Sequence, residues 1–362
     1  MSSPIDRPFS SWRSTAIAVE TTVQGLTLRG VLPDAVSGRL VGINGDVVHV
    51  LHVHEGGEVL YRTHRVQPHS RTTDVMVFGG SFLVFGRGSL AHQLSSNLDT
   101  LTPVDLAGQS RQLSSCPKRD ENTGDLHLLA TAPDGSQAQV VVSSGALTRR
   151  SRSIIDPPNR VDDLAIAGDH VVFASRGFIG IGSRDLESRV QWIPTGVDAP
   201  AFVHAHSTGE TVFVYAVTPL LERWTIHLAS SNVHRQVLDP APQRFARATH
   251  LSERAQHLLW TIGDRTVDTY DLVAGRRVHR SFGQRQPGDL GFLPDPGAAD
   301  GGWLVGFVHH ESGLTTDLVI LDADDISRPA IAVVHIPRPI PIDLHTTWIP
   351  ETNQQPHQGD RP

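Results

Sequence analysis

The residues best suited to chemistry lie near the end of the 362-residue chain, in His335-Ile-Pro-Arg-Pro-Ile-Pro-Ile-Asp-Leu-His345-Thr-Thr-Trp348-Ile-Pro350. Prolines at alternating positions forbid a helix and hold the backbone extended, so His345 and Trp348 arrive on a stiff, strand-like segment. An imidazole placed this way can ligate a metal, move a proton or donate a hydrogen bond, depending on what it meets. Cys116, the only cysteine, is a nucleophile if a neighbour lowers its pKa and a small buried filler otherwise. Twenty histidines are scattered along the chain. His49, His52 and His54 fall on one strand pattern, where His52 and His54 share a face and His49 points away. His309 and His310 are neighbours that face opposite ways, so neither group alone offers three converging ligands. There is no Gly-x-Ser-x-Gly elbow, His-Glu-x-x-His pair or dinucleotide fingerprint. Lys118 is the only lysine among 31 basic residues and follows a proline, which excludes a phosphate-binding P-loop.

The elements that must position these residues are strands. Val47 to Val53 and Val59 to Val66 flank the turn residues around Gly56-Gly57; Val75 to Phe78 and Phe82 to Phe85 flank Gly79-Gly80. Similar short alternating runs recur to Thr316–Leu321, separated by turns such as Pro133-Asp-Gly135, Gly168-Asp169 and Thr208-Gly209. Helical periodicity is nowhere sustained. More than about twenty strands at this spacing, with no linker, predict an all-β propeller with diverged blades. Residues 1–30 read as an N-terminal extension, 31–350 as one propeller domain and 351–362 as a flexible tail. A net charge of −7 argues against nucleic acid as a partner. With one cysteine, no signal-like leader and no run long enough to span a bilayer, the chain reads as a cytoplasmic protein without stable membrane insertion. The arginine-for-lysine bias fits a GC-rich genome of the actinobacterial kind.

Several segments, taken in order, resemble the carotenoid cleavage oxygenases. Val31-Leu-Pro-Asp34, Gly38-Arg-Leu40, Gly45-Asp46-Val-Val-His49 and Tyr61-Arg62-Thr-His-Arg65-Val66 are similar to the opening of that family. Cys116-Pro-Lys118-Arg-Asp120 is similar to its Ala-His-Pro-Lys stretch, Val161-Asp162-Asp163-Leu-Ala-Ile166 to its Met-His-Asp-Phe-Ala-Ile, and Phe202-Val-His204 to its Phe-His. Phe245-Ala-Arg247, Asp300-Gly-Gly-Trp303, Leu321-Asp322-Ala and the segment ending in Trp348 follow its later motifs.

The resemblance implies a seven-bladed β-propeller of the carotenoid oxygenase type, with an axial iron(II) held by four histidines. Carried over by position, the ligands are Cys116, Asp162, His204 and His345, so only two are histidine. The family's three histidine-orienting glutamates fall on Arg87, Arg244 and Ala299, which removes all three carboxylates. The leading expectation is therefore a metal-independent cyclase or isomerase of natural-product biosynthesis, with no cofactor, acting on a small apolar polyene, polyketide or isoprenoid. In it His204, His345, Asp162 and Cys116 are catalytic, and Arg87, Arg244 and Trp348 bind substrate. One alternative is a non-haem iron(II) dioxygenase that cleaves a C=C bond with His204, His345, Asp162 and Cys116 as ligands. The other is a non-catalytic binder of apolar ligands. The oligomeric state stays open.

Overall fold

A computed structural model describes residues 20–351 except 55, 67–73, 87–89, 96–97, 99–100, 109–111, 114–116, 121, 144–147, 154–156, 188, 198–200, 219, 244, 252–255, 273 and 298–300. The described residues form strands joined by turns and no α-helix, arranged as seven antiparallel sheets of four or five strands. These are the blades of the expected propeller. No helix among the described residues is long and apolar enough to cross a membrane.

Turn chemistry explains much of the local order. Glycines with φ between +57° and +92° close hairpins at Gly45, Gly56, Gly79, Gly80, Gly168 and Gly209, where an L side chain would be strained. Between turns, the alternating apolar residues are buried against the neighbouring blade. One cluster joins Leu40, Leu51 and Tyr61 of the first blade to Val305, Leu318 and Val334 of the last. Another joins Val172 and Ile179 to Val214 and Trp224 of the next blade. The hydrophobic core thus lies between blades, which leaves the openings of the inner strands free for polar residues.

The ring closes with strands from both ends of the chain. Thr346–Pro350 pairs with Gly38–Asn44 as the inner strand of the first blade, whose other strands are Val47–Val53 and Val59–Arg65. Thr21–Val23 adds to the outer edge of that blade, on Val59–Arg65. Thr27–Gly30 adds to the outer edge of the last blade, on Ala332–Ile336. Described residues before position 31, expected as an N-terminal extension, thus cover two sheet edges that would otherwise be open. Glu351, placed in the tail by its position, accepts a hydrogen bond from Ser37 and sits 3.1 Å from His52 Nε2. Trp348 is only 9% exposed and packs among Leu40, Leu51 and Leu344. Its ring belongs to the core between the first and last blades.

Two buried histidines tie stability to pH. His49 bonds the Tyr61 hydroxyl at 2.8 Å, and His127 lies 3.2 Å from the Gln139 amide nitrogen. Burial lowers both imidazoles to about 4 from an ordinary 6.5. Between those values the unfolded chain binds more protons than the folded one, so stability rises with pH and is lost as pH falls from 6.5 towards 4. Each histidine contributes a slope of up to about 1.4 kcal/mol per pH unit in that window. Chemical denaturation of His127→Gln across pH 5–7 should show a visibly shallower slope than the parent; an unchanged slope would refute the assignment.

Candidate active site

The first strand of each blade faces its counterpart in the next blade: 161–167 meets 201–208, 201–208 meets 245–251, and 286–294 meets 346–350. The openings of these inner strands are irregular. The ladder of Val161–Ala167 shifts between Val161 and Asp163, leaving Asp162 as the extra residue. That of Ala201–Thr208 shifts between Phe202 and His204. That of Gln286–Pro294 shifts between Pro287 and Leu290, which frees Gly288 and Asp289 from pairing. The inner strand of the third blade is split into Gln112–Leu113 and Lys118–Arg119. Bulges redirect side chains and interrupt pairing, and here they gather at one end of the inner strands where the site positions lie.

His345 immediately precedes Thr346–Pro350, and its side chain is 37% exposed. Its Nδ1 faces Asp289 Oδ2 at 3.6 Å, while the same oxygen accepts the Thr346 N–H at 3.0 Å. The Asp289 side chain is wholly buried. At 3.6 Å the histidine contact is electrostatic and not a formed hydrogen bond. A buried carboxylate beside Nδ1 favours the tautomer protonated there and leaves Nε2 as the lone-pair nitrogen. A carboxylate thus faces His345 at a position the carried-over motifs did not mark, ten residues before Ala299. The bulge at Gly288-Asp289 puts this aspartate in place, and no strand periodicity marks it.

His204 follows the bulge in the fifth blade's inner strand, with its ring 6.1 Å from that of Tyr215 and 5.8 Å from that of His206. Burial, followed by the nearby Arg223 charge, lowers the pKa of His206. Asp162 is 39% exposed and lies 3.9 Å from the Arg160 guanidinium. An exposed pair at that distance holds Asp162 only weakly. Its neighbour Asp163 is tied more firmly: its Oδ2 accepts the Phe202 N–H at 2.9 Å, and its Oδ1 lies 4.0 Å from Lys118 Nζ. Lys118 also donates to the Phe202 carbonyl at 3.4 Å. The chain's single lysine thereby links the inner strands of the third, fourth and fifth blades. Beyond excluding a P-loop, sequence reasoning named Lys118 and Asp163 only within the quoted motifs, gave neither a role at the site, and missed Asp289. Cys116, Arg87, Arg244 and Ala299 lie outside the described residues.

The donor chemistry of two imidazoles with a carboxylate suits a divalent metal of the iron(II) class. His345 is held beside a buried carboxylate, as a metal-ligating histidine is held. Asp162, His204 and His345 do not, however, bring three donor atoms within 4.8 Å of one another; the groups among the described residues that do are His52, His54 and Glu351, and His310, Asp317 and His335. Of these carried-over positions, His204 and His345 are the imidazoles that could ligate a metal. The second group takes Asp317 and His335 from the two strands that follow His310 in the same sheet, donors the adjacent His309 does not supply.

The family model described as retinal pigment epithelial membrane protein matches residues 190–350. That span contains His204, Asp289 and His345. The apocarotenoid-15,15'-oxygenase of Synechocystis is 32% identical over 141 residues, 35% of this chain and 29% of that protein. A carotenoid cleavage oxygenase of Mycobacterium tuberculosis is 29% identical over 151 residues, 37% of this chain and 30% of that protein. Resveratrol cleavage oxygenase 1 of Chaetomium globosum is 36% identical over 59 residues, 16% and 10% of the two chains. The chain thus aligns with less than a third of the length of each of these relatives. In fold the likeness extends much further. A single-residue variant of the Synechocystis apocarotenoid oxygenase superposes with a TM-score of 0.80 at 18% identity, covering 92% of this chain and 96% of that one. Its cobalt-substituted form gives 0.77 at 19% identity, with the same coverage.

These findings correct two expectations. The expectation of no cofactor does not stand beside relatives named as oxygenases, a metal-substituted structural neighbour and a histidine–aspartate group able to hold a metal ion. The preference for a cyclase or isomerase over an oxygenase finds no support among those relatives.

Proposed function

We propose that the chain, whose residues 190–350 match the family model and which is similar to carotenoid cleavage oxygenases, is a non-haem iron(II) dioxygenase that cleaves a C=C bond of an apolar conjugated substrate. The substrate class is a carotenoid-derived polyene or a stilbene, by analogy with the relatives named for apocarotenoids, carotenoids and resveratrol. The observation that carries the reading is His345 with its Nδ1 turned to the buried Asp289 carboxylate at the opening of an inner strand.

His204 and His345 would hold the metal, with Asp162 and Cys116 as the remaining carried-over positions. When bound, iron(II) would activate dioxygen towards a closed-shell alkene; in the net change the C=C bond breaks, its carbons give up the four electrons that reduce dioxygen, and each carbon takes one oxygen atom to give two carbonyl products. The chain's own work is positioning. Asp289 keeps the proton of His345 on Nδ1, and its acceptance of the Thr346 N–H locks the strand opening against rotation. Asp163 and Lys118 hold the openings of three blades in register. His345 is partly exposed while the Asp289 carboxylate facing its Nδ1 is wholly buried.

Iron analysis of untagged protein, with product analysis on apocarotenoid and stilbene substrates under oxygen, tests this reading. We expect bound iron, two aldehyde or ketone products per alkene, and loss of turnover on chelation that iron(II) restores. Because two histidines are fewer than the three or four protein ligands of stable sites, we expect iron to leave on dialysis more readily than from a four-histidine centre. Full turnover by chelated, iron-free protein would overturn the proposal.

A further inference from the structure

We propose that the last blade carries a second, separate binding site for a divalent transition metal, with zinc as the best match, formed by His310, Asp317 and His335. Three consecutive strands supply one donor each. His310 follows the strand Gly302–His309, Asp317 lies on Thr316–Asp322, and His335 lies on Ala332–Ile336 directly opposite Asp317 in the ladder. Asp317 Oδ2 is 2.9 Å from His310 Nε2, and Asp317 Oδ1 is 2.9 Å from His335 Nδ1. All three donor atoms fall within 4.8 Å of one another. The imidazole rings stand perpendicular, at 87°, with centroids 5.7 Å apart. Two nitrogens therefore approach one carboxylate from different directions, as ligands around a small ion do.

The two histidine contacts differ. His335 Nδ1 and Asp317 are aligned as a hydrogen bond. His310 Nε2 is just as close but lacks hydrogen-bonding alignment and is buried at the atom. A ring nitrogen held against a carboxylate oxygen without a shared proton is arranged as one ligand lies beside another. Ligands of a tetrahedral ion with bonds of about 2.0–2.1 Å lie roughly 3.3 Å apart, so the present spacing needs only a few tenths of an ångström of opening. The set of two neutral imidazoles and one carboxylate is the three-ligand pattern of open zinc sites. Burial is graded in the way such a site requires. Asp317 is 7% exposed at the floor, while His310 and His335 are 33% and 45% exposed at the rim, leaving a solvent-facing position for water or a further ligand.

One cation already competes. Arg285 Nη1 sits 3.3 Å from Asp317 Oδ2 and is 41% exposed, so it can swing into water when an ion arrives. This arginine gives the proposal a distinctive signature: removing it should tighten metal binding, whereas removing a ligand should weaken it. The site differs from the axial one in every donor. It rests on side chains of one blade and not on the dioxygenase reading.

Titration of chelator-stripped, untagged protein with zinc chloride, read by calorimetry and by metal analysis after gel filtration, tests it. We expect one zinc to persist in the His204→Ala/His345→Ala double variant. Loss of an outer partner alone costs about 10–100-fold in metal affinity, so His310→Gln, His335→Gln and Asp317→Asn should each weaken that zinc by at least as much. Arg285→Gln should tighten it several-fold, and because it keeps all three donors it remains decisive if a ligand variant fails to fold. Cobalt(II) bound in place of zinc should show visible absorption that the His335→Gln variant loses. The proposal falls if the double variant binds no zinc, if the three ligand variants bind as the parent does, or if Arg285→Gln leaves affinity unchanged. The axial reading is tested apart from this, by iron and turnover in His310→Gln, which should keep both.

Discussion

His345→Ala should lower kcat/KM for oxidative cleavage by more than about 10²-fold and remove most of the bound iron, with little change in folding. The magnitude follows from the ligand's place. Losing an outer-shell partner of a metal-binding histidine already costs about 10–100-fold, so losing the imidazole itself costs more. Stability should change little because the side chain is 37% exposed and sits at the mouth of a strand, not in its ladder. His204→Ala should behave likewise in turnover. Steady-state kinetics, iron content and thermal melts of the purified variants check this together. Turnover within tenfold of the parent in both variants would remove these histidines from the chemistry.

Asp289→Asn should lower activity and iron affinity about 10–100-fold while the protein remains folded. The amide oxygen can still accept the Thr346 N–H, now held at 3.0 Å, but the charge that faces His345 Nδ1 is gone. Asp289→Ala adds a second effect. It strands the buried Thr346 N–H, at a cost of about 1–3 kcal/mol, and should show as a lower Tm. Comparing the pair separates orientation from stability. If Asp289→Asn matches the parent in iron content and kcat, the aspartate is structural and the carboxylate–histidine argument fails.

The fold was legible because its signals are local. Hairpin glycines such as Gly79-Gly80 and Gly168 mark the turns, and alternating apolar residues between them mark strands too numerous for a sandwich. The ring closure was not legible. Thr21–Val23 and Thr27–Gly30 are short and mostly polar, and they become strands only because Val59–Arg65 and Ala332–Ile336 present open edges to them. Trp348 shows the same limit in a side chain. An aromatic on the site-bearing segment suggested a substrate contact, but strand alternation carried its ring into the interblade core.

The site was half legible. His204 and His345 could be picked out from motifs, whereas Asp289 depends on a two-residue ladder shift that no spacing rule anticipates. Asp162 was visible, and its side chain lies near Arg160, two residues away in the same chain segment. The adjacent histidines of the last blade were discounted because neighbours on a strand diverge, and that argument holds within one strand. It fails across a sheet, where Asp317 and His335 come from other strands to meet His310.

By itself the sequence determined an all-β propeller built from glycine-closed hairpins, and a proline-stiffened final segment that delivers His345. Both follow from backbone preferences that act within a few residues. Only the tertiary structure decided which carboxylate faces that histidine, which N-terminal strands cover the outer edges of the first and last blades, and which side chains gather into a second donor set. Each of those depends on the register between strands far apart in the chain, where a shift of one or two residues redirects every side chain beyond it.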